Sequence, residues 1–71
     1  MYVCVVDAVR IRTAPSLSAD IVDQYTRGQT VILDDNFTEA DGCVWGTYIA
    51  FSGNRRYIAI SQNGETYFQH C

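Results

Sequence analysis

The side chains able to do covalent chemistry are few: Cys4, Cys43 and Cys71, the single histidine His70, and the acidic pair Asp34-Asp35. A cysteine nucleophile needs a base brought to it in space, and His70 only neighbours Cys71 at a chain end prone to fray. Neighbours along a chain do not make an oriented dyad. Asp34 and Asp35 are adjacent, so on an extended segment their carboxylates point apart and do not clasp a glycosidic bond. The cysteines are an odd number without CxxC spacing, which fits neither a disulfide framework nor a zinc site. Cys4 and Cys43 read as buried thiols and Cys71 as a loose terminal one. No catalytic residue, metal ligand or cofactor-binding residue is expected.

The polar and aromatic residues suit recognition better. Tyr57, flanked by Arg55 and Arg56, offers a flat apolar ring and a hydroxyl to an extended peptide, with sheet packing as the alternative. Tyr48 and Tyr67 are candidates to extend that platform. Asp35 and Asn36 can accept and donate hydrogen bonds to a peptide backbone, as can Thr13, although loop positions account for such residues without a ligand. Arg12, following a strand residue, reads as a tie to a loop carboxylate or carbonyl, and the lone Trp45 as core.

The elements that must position these side chains are strands. Cys43 to Phe51 and Arg56 to Ile60 are rich in β-branched and aromatic residues and are separated by Ser52-Gly53-Asn54, a hairpin signal, with Asp41-Gly42 turning the chain into it. Alternation puts Cys43, Trp45, Thr47, Ile49 and Phe51 on one face and Val44, Gly46, Tyr48 and Ala50 on the other. Ile58 and Ile60 oppose Tyr57 and Ala59. Both faces carry rings, more apolar area than one side of a small sheet hides.

Upstream, Tyr2 to Val6 is β-prone, and Val9-Arg10-Ile11-Arg12 alternates so that Val9 and Ile11 are buried. Thr13 to Asp20 is a loop containing Pro15. Ile21 to Tyr25 is a strand ended by Thr26-Arg27-Gly28, and Thr30 to Leu33 is the next. Asp34 to Asp41 reads as an acidic loop. Past Ile60, an Asn63-Gly64 turn precedes a last run, Thr66 to His70. No 3.6-residue apolar period is sustained. The expected fold is all-β, a single domain over residues 1–71 of about six short strands, arranged as a small antiparallel barrel or as two tightly packed sheets.

With 71 residues, such a domain buries only about 60% of its unfolded surface, which leaves little room for a deep pocket. A net charge of −3 gives no basic footprint for nucleic acid or anionic membrane, and the same sign disfavours polyanionic wall polymers. Tyr2 to Val6 is too short and lacks the basic leader of a secretory signal, and no run approaches the ~18 apolar residues of a transmembrane helix. Synthesis in a reducing cytosol is the expectation.

Ala8-Val9-Arg10-Ile11-Arg12-Thr13-Ala14-Pro15-Ser16 resembles the opening signature of the bacterial SH3-type cell-wall-binding domains at the C-terminal ends of phage endolysins and bacteriocins. Ile21 to Gly28 resembles the strand and glycine turn that follow. Asp41-Gly42-Cys43-Val44-Trp45-Gly46 and Ser52-Gly53-Asn54-Arg55-Arg56-Tyr57-Ile58-Ala59-Ile60 are similar to the subgroup containing the lysostaphin targeting domain and phage lysins against enterococci and streptococci. The resemblance covers about residues 2 to 60, ungapped from Pro15 to Ile60. Beyond it Tyr67-Phe68 stands where the family often has a tryptophan-containing strand.

The resemblance implies a small, partly open, SH3-like antiparallel barrel of about six or seven short strands, a non-catalytic module that binds the cross-bridge and stem peptide of peptidoglycan, with Val5, Val9, Thr13, Asn36 and Tyr57 matching the family's groove. Asn36 replaces an acidic residue and Val5 a polar one, so the bridge read need not be pentaglycine. It also implies a protein made in the host cytoplasm and acting at the wall after release. Met1 at the first strand is compatible with an excised segment or with a separately translated subunit that assembles with the full-length endolysin, or with other copies of itself as a homo-oligomer. The competing function is a protein-interaction module holding an extended peptide in an aromatic groove; a small hydrolase is disfavoured by the terminal histidine.

Overall fold

The central hairpin forms as its composition requires: β6 (Cys43–Ile49) and β7 (Arg55–Gln62) pair antiparallel from Cys43↔Gln62 to Ile49↔Arg55. Gly53 takes φ +87° in the connecting turn, a value that favours glycine. A register shift at Val44/Trp45 is the one irregularity of this ladder.

The computed structural model describes residues 1–71, all in strands, turns and loops. On one side of the hairpin β2 (Ala8–Arg12) pairs with β7, and β3 (Ile21–Thr26) pairs with β2. On the other, β5 (Thr38–Ala40) pairs with β6, while β8 (Glu65–Thr66) pairs with the far end of β7 on its β2 side. A second, three-stranded sheet has β1 (Tyr2–Cys4) between β4 (Thr30–Val31) and β9 (Phe68–His70).

The sheets close over Cys4, Val9, Ile11, Val31, Ile58 and Phe68, with Ile58 fully buried. The opposite face of the hairpin carries a smaller cluster of Cys43, Trp45 and Ala59, against which Ala40, Tyr57 and Tyr67 pack. Trp45 is core, and its Nε1–H donates to the Ala40 carbonyl at 3.0 Å. Cys4 and Cys43 are buried and Cys71 is exposed.

The all-β, SH3-like reading holds, with differences in detail. Strands number nine because several ladders are only two or three residues long. Thr38–Ala40, read as loop from its acidic surroundings, is a strand. Asp41 and Gly42 adopt φ +54° and +74°, and this tight turn folds Ala40 back onto Cys43 whatever its neighbours' propensity. Thr30 to Leu33 pairs only through Thr30–Val31. The last run is broken at Tyr67, whose N–H donates to Ile60 O and whose carbonyl accepts from Val5 N, joining the two sheets.

Candidate functional site

Strand register builds a row across the sheet. Tyr57 stands between Arg12 on β2 and Thr47 on β6, and Asp34 N–H donates to Thr47 O at 2.9 Å. The row therefore carries the start of loop 13–20 on one side of Tyr57 and the 34–37 segment on the other. Cross-strand partners share a face, so Tyr57 and Thr47 lie on the Trp45 side of the hairpin, where Tyr57 is half-buried against the Cys43, Trp45 and Ala59 cluster.

Hydrogen bonds hold both flanks. Thr47, 7% exposed, donates through Oγ1 to Arg56 O at 3.0 Å and accepts from Arg55 Nη1 at 3.2 Å. Arg55 Nη1 also pairs with Asp34 Oδ2 at 2.7 Å. On the other flank Arg12 Nη1 donates to Leu17 O at 2.9 Å and Ala19 O at 3.0 Å, the expected tie to the loop. Thr13 N–H donates to Asp20 O, closing the loop base, and Thr13, Asp35 and Asn36 are exposed. The result is a half-buried Tyr57 ring between tethered polar flanks, suited to an extended peptide whose backbone needs donors and acceptors.

Other sequence candidates fall elsewhere. Val9 is 5% exposed in the main core, so its contribution is packing beneath the sheet, because strand alternation turns it inward with Ile11. Val5 is half-buried and backbone-bonded to Tyr67. Tyr67 packs against the same cluster as Tyr57 and donates to Gln62 Oε1 at 3.1 Å. Tyr48 is paired with Arg56 and faces the opposite side, so it does not extend the Tyr57 platform. It lines a separate depression of about 200 Å³ with Ile11, Val22, Asp23, Ala50 and Arg56. Burial, then the Tyr25 hydroxyl beside it, raises the Tyr48 pKa above its ordinary 10.0. A larger hollow of about 400 Å³ lies at the β5–β6 turn, lined by Glu39, Ala40, Gly42, Cys43 and Val44.

The Cys43 thiol is pushed up from 9.0 by burial and by Asp41, with Arg12 opposing, which is the reverse of what a nucleophile needs. Thr47 and the Arg55–Asp34 pair escaped the sequence reading. The available signal was a threonine on an otherwise apolar strand face, a residue that needs a partner when buried.

Two closely packed small antiparallel sheets define an all-β, SH3-like domain. The chain belongs to the bacterial SH3 domain family (SH3_5), whose model matches residues 1–60. Domains of that family are typically cell-wall-binding modules and generally bind peptidoglycan. Among solved structures, the one titled "The crystal structure of Ly7917" aligns at 39% identity over 96% of this chain with a TM-score of 0.63. The present chain spans 30% of that longer one. No curated protein matches it.

Proposed function

We propose that this chain is the wall-targeting module of a phage endolysin directed at Gram-positive cocci, with enterococcal or streptococcal walls favoured. Its groove reads the cross-bridge and stem peptide of peptidoglycan and performs no chemistry. The observation that carries this reading is the Arg12–Tyr57–Thr47 row, which sets one half-buried ring between two tethered polar flanks. The length of the similar Ly7917 chain supports it too, since a domain filling 30% of a longer protein has room for a catalytic partner. Tethering such a partner to the wall raises its effective concentration on substrate and assists host lysis. With a net charge of −3, the target is a neutral peptide or glycan portion of the wall and not its polyanionic polymers.

The test is co-sedimentation of the purified domain with walls of enterococci, streptococci and staphylococci, comparing wild type with Tyr57→Ala after both are shown to fold. Wild type sediments selectively and the variant stays in solution. A folded wild type left in solution by all three walls refutes the wall-targeting role and favours an extended protein segment as the ligand.

A further inference from the structure

Loop 13–20 holds its shape through side chains that arrive from opposite charges. Its internal backbone bonds are three: Thr13 N to Asp20 O at 3.1 Å, Ser16 N to Ala14 O at 2.8 Å and Ala19 N to Ser16 O at 3.1 Å. Between them Leu17 is bonded to neither sheet ladder. Its carbonyl instead accepts from Arg12 at 2.9 Å, while its N–H donates to Asp41 Oδ2 at 3.0 Å. The same carboxylate oxygen accepts from Ser16 Oγ at 3.1 Å. Asp41 is remote in sequence, at the tip of the β5–β6 turn, so this contact is the loop's link to the far edge of the sheet.

Asp41 is not required by its own turn. At φ +54° a glycine is at least as comfortable and an asparagine equally suited, so turn geometry alone does not ask for a carboxylate. The Cys43 thiol feels both Asp41 and Arg12, which agrees with the two charges flanking one spot.

We infer that Asp41 is a positioning residue for ligand binding: its carboxylate, opposite the Arg12 guanidinium, latches Leu17 and Ser16 and so fixes the loop that opens at Thr13, one residue past the Arg12 that pairs with Tyr57. The inference rests on the wall-binding reading for what the groove holds. A loop already fixed before binding does not lose that freedom on binding, and a released one is binding-competent only part of the time.

Asp41→Gly is the discriminating variant, because it relaxes the turn, removes an exposed side chain without opening a cavity, and deletes both latch bonds. Asp41→Asn keeps an oxygen acceptor. Two measurements are made on the full chain, after near-ultraviolet circular dichroism shows Trp45 in its native packing. The first is amide exchange of Leu17 without ligand: it accelerates about tenfold in the glycine variant, the effect of losing one to two modest hydrogen bonds, while β6 and β7 amides are unchanged. The second is the Kd for purified soluble peptidoglycan fragments. It rises about tenfold, roughly 1.4 kcal/mol, in the glycine variant, and most of the affinity returns with asparagine.

Unchanged Leu17 exchange overturns the latch. Faster exchange with unchanged Kd overturns its role in positioning. A wild type that binds no fragment overturns the wall-binding reading and the ligand-directed half of this inference with it, while the exchange rates still decide the latch.

Discussion

Thr47→Val tests whether the polar centre of the groove row is structural. Valine matches threonine in shape, so it leaves the 7%-exposed site filled and removes only the hydroxyl. Lost are the 3.0 Å bond to Arg56 O and the 3.2 Å bond from Arg55 Nη1. A typical bond of this kind contributes about 0.5–1.5 kcal/mol net, and an acceptor left unpaired in a buried place costs about 1–3 kcal/mol. The Arg55 bond is on a 44%-exposed side chain and is discounted for solvent screening. Valine's better strand propensity returns a few tenths. The expected loss is about 1–2 kcal/mol, which for a domain this size lowers Tm by roughly 4–16 °C.

Trp45, 1% exposed, reports unfolding by its fluorescence, and urea titration should show a lower midpoint at unchanged slope. Because Arg55 also holds Asp34, wall affinity should fall with stability, and a Thr47→Val/Arg55→Leu double-mutant cycle should show coupling of about 0.5 kcal/mol or more. Thr47→Val as stable as wild type would refute the reasoning, since it would mean propensity and methyl packing outweigh both bonds.

Gly46→Ala places a methyl 2.7 Å from Leu33 Cδ1 and 3.1 Å from Ile60 Cδ1; overpacking of this kind costs about 1–3 kcal/mol, read as a lower denaturation midpoint, and Leu33→Ala in the same chain should relieve part of it. The raised pKa values of Cys43 and Tyr48 mean that above the ordinary values of 9.0 and 10.0 the unfolded chain releases protons the folded one retains. Stability is then complete below about pH 8.5 and falls as pH rises through that range, and Tyr48→Phe should flatten the part of the fall above pH 10 in urea titrations run from pH 7 to 11.

Much of the site was legible because strands alternate. The residues of Cys43 to Ile49 announce two faces, and Tyr57 is placed opposite Ile58 by parity alone. Asp41-Gly42 and Asn63-Gly64 announce turns through residues that tolerate positive φ, and both turns adopt it. Arg12 was readable as a tie because a charge beside a buried strand residue must end on something. The β5 strand was not legible, since Glu39 and Ala40 are weak strand formers and one threonine does not outweigh them; the segment pairs because the turn after it delivers it to β6.

What the sequence by itself determined is the local chemistry: an all-β chain, a Tyr57 ring beside Arg55 and Arg56, and polar loops at Thr13 and at Asp35-Asn36. Only the tertiary structure decided which of these meet. Register across three strands sets Tyr57 between Arg12 and Thr47, while the same alternation turns Val9 into the core and Tyr48 to the other face. The contact between Asp41 and Leu17 spans 24 residues and exists because the first loop, which leaves the sheet on its β2–β3 side, reaches the β5–β6 turn at the opposite edge. No local pattern encodes that, because it depends on how the sheet closes.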